Sequence, residues 1–126
     1  MPEVIISEEE LRARCFEWQK VLKLQDWIIS VFVFRERDFS DPGRAAEIIM
    51  QLPKRMATIR ILDPLDYPSN LVELQDMELA LVHELLHLHF LPLRENGDIE
   101  GLHHVMEEQA IEAISRGLVF LKRGGQ

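Results

Sequence analysis

One segment in the second half of the chain constrains the fold more than any other, because it is apolar around almost its whole helical circumference. Its apolar residues are Met77, Leu79, Ala80, Leu81, Val82, Leu85, Leu86, Leu88 and Phe90. A helix with this pattern in a globular protein is buried in the middle of its domain. Asn70 and Glu73 have the spacing of a capping signature, so we expect this helix to begin near Asn70 and to end near Leu91, before Pro92.

Two further helices are predicted, one towards each end of the chain. Ser7 and Glu10 form a capping box that is followed by apolar residues at helical spacing, which predicts a first helix over about residues 8–24. A polar loop is expected at 94–101, and the last helix should then cover about residues 102–122. Its apolar residues lie on one stripe, which we expect to face inward: Ile111, Ile114, Leu118 and Leu121.

Three short strands are predicted between the first helix and the apolar helix. Residues 27–34 are rich in β-branched and aromatic residues, and residues 46–52 and 56–62 are joined by a short turn that predicts a hairpin. We therefore expect an α+β fold in which an N-terminal helix and a small three-stranded sheet pack against the apolar helix and the last helix. A chain of 126 residues fits a single domain that spans residues 1–126.

Composition and charge exclude several classes of protein. Fourteen basic and twenty-two acidic residues give a net charge of −8, which argues against a broad nucleic-acid-binding surface. Cys15 is the only cysteine, which excludes cysteine zinc ribbons and iron–sulfur clusters and is typical of a reducing compartment. The sequence has neither a signal-peptide pattern nor an uninterrupted apolar run long enough to span a membrane. We expect a cytoplasmic protein that binds neither nucleic acid nor membranes.

The apolar helix carries the pattern His83-Glu84-Leu85-Leu86-His87. Residues four apart lie one turn apart on the same helix face, so both imidazoles can reach a single metal ion. Glu84 is rotated by about 100° from His83 around the helix axis, which suits a general base beside that ion. Burial of these side chains is costly unless something pairs with them, which favours a metal over hydrogen-bonded core histidines. His89 points elsewhere and is expected to be structural or exposed.

A third metal ligand is expected near the start of the last helix. A catalytic zinc site usually has three protein ligands and an open position for water. A short connection would fold the two helices antiparallel and bring this region back towards the histidines. Candidate ligands are Glu107, Glu108 and Glu112, together with His103 and His104. Glu107 faces inward by the periodicity of the apolar stripe, so the residues alone leave these alternatives open.

The two motifs together resemble the gluzincin zinc metallopeptidases, most closely the compact bacterial and phage-encoded members called minigluzincins. In that family a downstream glutamate is the third ligand, and the residue four places further on often contacts a ligand histidine. Glu108 with Glu112 fits this spacing, whereas Glu107 does not. The resemblance therefore implies that His83, His87 and Glu108 bind the zinc ion. The chain departs from the family in having Glu112 where Asp or Asn is more usual.

The resemblance also implies an activity, which is the zinc-dependent hydrolysis of peptide bonds by a metal-activated water, with Glu84 as the base. Groups that could stabilise the oxyanion are His103, His104, Tyr67 and Arg94, unless they are ordinary surface side chains. An edge strand of the sheet could hold an extended peptide or protein substrate by strand addition. The alternative is a non-enzymatic, zinc-stabilised binding module of phage type, which would have no use for Glu84.

Overall fold

The computed structural model describes residues 3–93 and 101–125. Within these residues the α+β fold expected from the sequence is confirmed, with an N-terminal helix, a three-stranded sheet and two further helices. Short 3-10 turns occur in the connections. The elements in chain order are α1 (Glu8–Leu22), β1 (Ile28–Phe34), β2 (Ala46–Gln51), β3 (Met56–Leu62), α2 (Met77–Phe90) and α3 (Leu102–Lys122).

The first helix begins at the capping box that the sequence predicts. The side-chain oxygen of Ser7 accepts a hydrogen bond from the backbone N–H of Glu10 at 3.1 Å. The helix ends two residues earlier than expected, because Lys23 adopts the left-handed conformation with a φ of 61°. The N–H of Leu24 then returns to the carbonyl of Gln19 at 2.8 Å, which closes the helix end.

The sheet has the strand order β1-β3-β2, with β3 in the middle. β2 and β3 form the antiparallel hairpin expected from the sequence, whereas β1 runs parallel to β3. One face of the sheet carries buried apolar side chains that join the same core as those of α1 and α2. Val31 and Ile59 are register partners at the centre of this face, and both are buried.

The two edges of the sheet differ in how well they are covered. At β1, the carboxylate of Glu8 accepts a hydrogen bond from the N–H of Val33 at 2.8 Å, and the Arg12 side chain donates to the carbonyl of Val31 at 3.0 Å. Two side chains of α1 therefore occupy backbone groups that an added strand would need. No described strand pairs with the outer side of β2, so that edge is open.

The second helix begins later than the sequence predicts. It starts at Met77 and is capped by Asp76, whose carboxylate accepts from the N–H of Leu79 at 3.0 Å, so the capping role expected for Asn70 is wrong. The segment up to Asp76 consists of turns and bends, and its last two residues pair with the N-terminal segment. The N–H of Val4 donates to the carbonyl of Gln75 at 2.9 Å, and this tertiary pairing outweighs the local helix signal.

The second helix is the centre of the core, as its composition predicts. It packs against α1, α3 and the sheet. Leu81, Val82 and Leu85 are completely buried. The helix ends at Phe90, one residue before the predicted end, and a 3-10 turn around Pro92 follows.

The third helix has the predicted bounds but not the predicted inner face. Ile111 is fully buried as expected, whereas Ile114 and Leu121 are 43% and 71% exposed. The buried positions instead recur four residues apart, at Ile111, Ser115 and Val119. Packing against α2 follows this ridge, and Ser115 can be buried because its hydroxyl donates to a carbonyl of its own helix at 3.1 Å.

A buried carboxylate joins the three helices at the end of the domain opposite the start of α3. Glu78, in the first turn of α2, is 2% exposed and accepts hydrogen bonds from Trp18 at 3.0 Å and Arg14 at 3.1 Å, both on α1. Lys122 at the end of α3 also donates to it.

Among the described residues, no helix is both long enough and apolar enough to cross a membrane.

Candidate metal centre

The two histidines of α2 lie side by side on the helix face that looks towards α3. Their ring centroids are 5.2 Å apart, and the rings meet at 61°. Their side chains are largely buried, with 14% of His83 and 8% of His87 exposed. One donor atom from each of His83, Glu84 and His87 lies within 4.8 Å of the others, so this group could hold a metal ion.

Glu108, the expected third ligand, lies opposite both histidines. One of its carboxylate oxygens is 3.1 Å from Nε2 of His83, and the other is 3.0 Å from Nε2 of His87. Zinc–ligand distances of about 2.0–2.2 Å in a tetrahedral site separate the donor atoms by roughly 3.3–3.6 Å. The distances between the Glu108 oxygens and the two Nε2 atoms are slightly shorter than this spacing, so Glu108 lies where it could join the two histidines in holding a metal ion.

The other ring nitrogen of each histidine contacts a second carboxylate from α3. Nδ1 of His83 is 2.8 Å from Glu112, and Nδ1 of His87 is 2.8 Å from Glu107. Because an ionised carboxylate only accepts, each Nδ1 donates in its contact, and Nε2, which faces Glu108, is the nitrogen that would bind a metal after losing its own proton. Glu112 thus has the contact that the family resemblance implies. Glu107 is turned inward as its periodicity predicts, but it lies behind His87 rather than at Nε2.

The carboxylates control the charge of the two histidines. Burial alone would favour the neutral rings, but the contacts with Glu108 and the nearby charge of Glu84 outweigh it and raise the pKa of His83 to about 9. The pKa of His87 is raised by the same two groups and by Glu107. The contacts with both rings lower the pKa of Glu108. A divalent cation could therefore displace the protons of the histidines, and its positive charge would still balance the negative charge of the carboxylates.

Glu84 differs from the other carboxylates of the site in its contacts. It is 8% exposed, yet no hydrogen bond from a described residue reaches its carboxylate. Burial raises its pKa, and the charges of His83 and His87 oppose this rise only in part. Its oxygens are not among the fully buried polar atoms that lack a partner, and the residue lines the cleft, so the carboxylate is accessible from that side.

The metal-binding group opens into a cleft of about 500 Å³, which lies within the range of small-molecule and peptide sites. The start of β2, the segment before α2, and the facing sides of α2 and α3 line it. Among the candidates for oxyanion stabilisation, Tyr67 and His104 line this cleft. The hydroxyl of Tyr67 donates to the carbonyl of Glu73 at 2.8 Å. His103 is exposed and is not part of the lining, and Arg94 lies outside the described residues.

Sequence reasoning missed one residue that organises the site. The Nε of Arg116 donates to Glu112 at 2.9 Å, and its Nη2 donates to Glu73 on the opposite wall of the cleft. Arg116 therefore fixes the carboxylate that in turn orients His83. Its spacing of four residues from Glu112 was the available signal, because oppositely charged side chains at i and i+4 of a helix are neighbours.

His89 takes no part in the site, as expected. Its side chain is exposed, and one ring nitrogen contacts the carbonyl of Leu22 at 2.6 Å. It therefore ties α2 to the end of α1.

No family model matches the sequence, and no curated protein or solved structure matches it either. Function must therefore be inferred from the chemistry of the site.

Proposed function

We propose that this protein is a zinc-dependent metallopeptidase of the gluzincin type, similar to the compact minigluzincins, which hydrolyses peptide bonds in a peptide or protein substrate. The observation that carries the proposal is Glu84. Its carboxylate lies beside His83 and His87, lines the cleft and accepts no hydrogen bond from the described residues. A structural metal site needs only its ligands, whereas a hydrolytic site needs a base next to them.

The choice of zinc follows from the donor atoms. Two imidazole nitrogens and one carboxylate oxygen, from His83, His87 and Glu108, form a set that zinc accepts with a fourth position left for water or substrate. Carboxylates hydrogen-bonded to both histidines, as here through Glu112 and Glu107, are typical of such sites. Zinc bound there would supply a water of lowered pKa and polarise the scissile carbonyl.

Glu84 is the group of this chain that moves the proton. Its carboxylate accepts a proton from the attacking water and passes it to the leaving amine. Burial raises its pKa, which makes it a stronger base than a solvated glutamate. Tyr67 and His104 are the cleft side chains that could stabilise the carbonyl oxygen as it becomes negative, and Tyr67 would have to give up its hydrogen bond to the carbonyl of Glu73 to do so.

The substrate is expected to bind along β2. The carbonyl of Ala45 accepts from the N–H of Leu62 at 3.0 Å, so by the alternation of antiparallel pairing the backbone groups of Ala46, Ile48 and Met50 point away from β3. An extended peptide can add to these groups as a further strand. Ala46 also lines the cleft, so a peptide bound this way would pass the metal-binding group.

The proposal is tested by comparing wild type with Glu84→Gln at equal zinc content. Glutamine keeps the shape of the side chain but cannot take up the proton, so zinc binding and folding should be retained. A peptide library analysed by mass spectrometry should show chelator-sensitive cleavage by wild type, reduced by about 100-fold or more in the variant. Cleavage that is unchanged in the variant would mean that Glu84 is not the base.

The same experiment addresses the competing function, a zinc-stabilised module that binds a partner. In that case fully zinc-loaded wild type would cleave no peptide in a chelator-sensitive manner, and Glu84→Gln would be indistinguishable from it. A protein that bound no metal at all would contradict both functions.

A further inference from the structure

Two arginines, Arg44 and Arg116, line the cleft, and Arg116 is hydrogen-bonded to acidic residues on both walls. Arg116 is held between the carboxylates of Glu112 and Glu73, one on each side of the cleft. These two acids compensate its charge and use the Nε and Nη2 of its guanidinium. Arg116 is therefore part of the framework of the site.

Arg44 has a different environment. It lies immediately before Ala45 and Ala46, where the chain enters β2, and it lines the cleft with them. Its ion pair is with Asp41, at 3.2 Å, and the side chains are 54% and 64% exposed. An exposed pair of this kind contributes little and exchanges readily with other partners. The guanidinium is thus available to an incoming anion.

Acidic side chains outnumber arginines in the lining, and the other arginine is already compensated by Glu112 and Glu73, which makes the position of Arg44 selective. Glu73, Glu84, Glu108 and Glu112 all line the cleft. A carboxylate on a bound peptide would be repelled along most of the cleft and attracted at the start of β2.

We propose that Arg44 is a specificity-determining residue that binds a carboxylate of the peptide substrate, supplied either by its C-terminus or by an aspartate or glutamate side chain. This inference rests on the proposed peptidase function and on binding along β2. The planar fork of a guanidinium matches the two oxygens of a carboxylate, and lysine reproduces its charge but not its geometry. Asp41 is the internal competitor for the same group.

The experiment measures binding without turnover, using the zinc-loaded Glu84→Gln protein on a solid support. One arm offers random N-acetylated octapeptides that lack acidic side chains, with free or amidated C-termini. The other arm offers amidated octapeptides that contain either aspartate and glutamate or asparagine and glutamine. Retained peptides are counted by mass spectrometry. We expect about tenfold enrichment of the charged form in one of the two arms, and the arm in which it occurs identifies the source of the carboxylate.

Three variants in the same background then assign the preference. Arg44→Gln should abolish the enrichment without weakening the binding of neutral peptides, and Arg44→Lys should restore only part of it. Asp41→Asn should increase the enrichment, because the competing carboxylate is gone. With active wild type, the corresponding changes should appear in KM for the charged peptides more than in kcat.

Different results would overturn the role of Arg44 and the peptidase function. Equal retention of charged and neutral peptides in both arms, or an enrichment that survives in Arg44→Gln, would overturn the role of Arg44 while cleavage by wild type stands. Enrichment that depends on Arg44, combined with no cleavage by zinc-loaded wild type, would support Arg44 as a carboxylate-binding residue and overturn the peptidase.

Discussion

At the scale of single residues, neighbouring carboxylates of α3 have different partners because successive helical residues point about 100° apart. Glu108 contacts the Nε2 atoms of His83 and His87, whereas Glu107 contacts the Nδ1 of His87. The first arrangement is that of a ligand, and the second is that of a group that orients a ligand. The structure therefore predicts different consequences for two chemically identical substitutions.

Glu108→Ala should weaken zinc binding by several orders of magnitude, because it removes the proposed third ligand. Glu107→Ala should weaken it by about 10–100-fold, because it removes only the group that orients His87. Competition with a chromophoric chelator measures both affinities, and Gln109→Ala, on the exposed side of the same helix, is the matched control. A larger effect for Glu107 than for Glu108 would contradict the assignment of the third ligand.

At the scale of secondary structure, the orientation of α3 about its own axis is the feature on which the site depends. The helix buries the ridge of Ile111, Ser115 and Val119 and leaves Ile114 and Leu121 largely exposed. Glu107 lies one turn before Ile111 on the same side of the helix. The orientation of α3 that buries Ile111 therefore also turns the acidic residues of its first turns towards α2. Packing of apolar side chains on α3 therefore positions the carboxylates of the metal centre.

Two isoleucine-to-alanine substitutions test this orientation. Ile111→Ala should lower the free energy of unfolding by about 2–5 kcal/mol, because it creates a cavity in the core. Ile114→Ala, three residues later and 43% exposed, should cost about 1 kcal/mol or less. Urea unfolding followed by circular dichroism measures both. Equal losses would mean that α3 packs on the stripe suggested by simple periodicity.

At the scale of the whole molecule, Glu78 connects the three helices away from the metal centre. Burial would raise the pKa of this carboxyl, but its hydrogen bonds to Lys122 and Trp18 and the charge of Arg14 outweigh burial and lower it. A carboxylate with a lowered pKa in the folded state contributes stability that is present above its unfolded pKa. That contribution is lost as the pH falls below about 4.3, the usual pKa of glutamate, towards the folded value.

Glu78→Gln should lower the stability at neutral pH by about 1–3 kcal/mol, because it weakens the hydrogen bonds that the buried carboxylate accepts, whereas the cations left behind are partly exposed and can be hydrated. The variant should also lose less of its remaining stability between pH 5 and pH 3 than wild type does. Urea unfolding at a series of pH values measures both effects. Glu9→Gln, on the exposed first turn of α1, serves as the control. Parallel pH profiles for wild type and Glu78→Gln would show that the network contributes nothing to acid sensitivity.

Much of the architecture follows from local properties of the sequence. The capping box at Ser7, the hairpin of β2 and β3, and the bounds of α3 each depend on residues within one element and its turns, and the structure agrees with all three to within two residues. The pairing of His83 and His87 is equally local, because helix geometry alone brings residues four apart to one face. These features need no knowledge of the rest of the fold.

Contacts between distant segments decided the rest. The pairing of Val4 with Asp76 moved the start of α2 beyond Asn70, and the ridge packed against α2 set which acids of α3 face the histidines. The parallel pairing of β1 with β3, and the position of Arg44 at the mouth of the cleft, likewise join residues far apart in the chain. Periodicity reports which side of an element is apolar, but the rotation and partner of that element depend on packing energies shared among several segments.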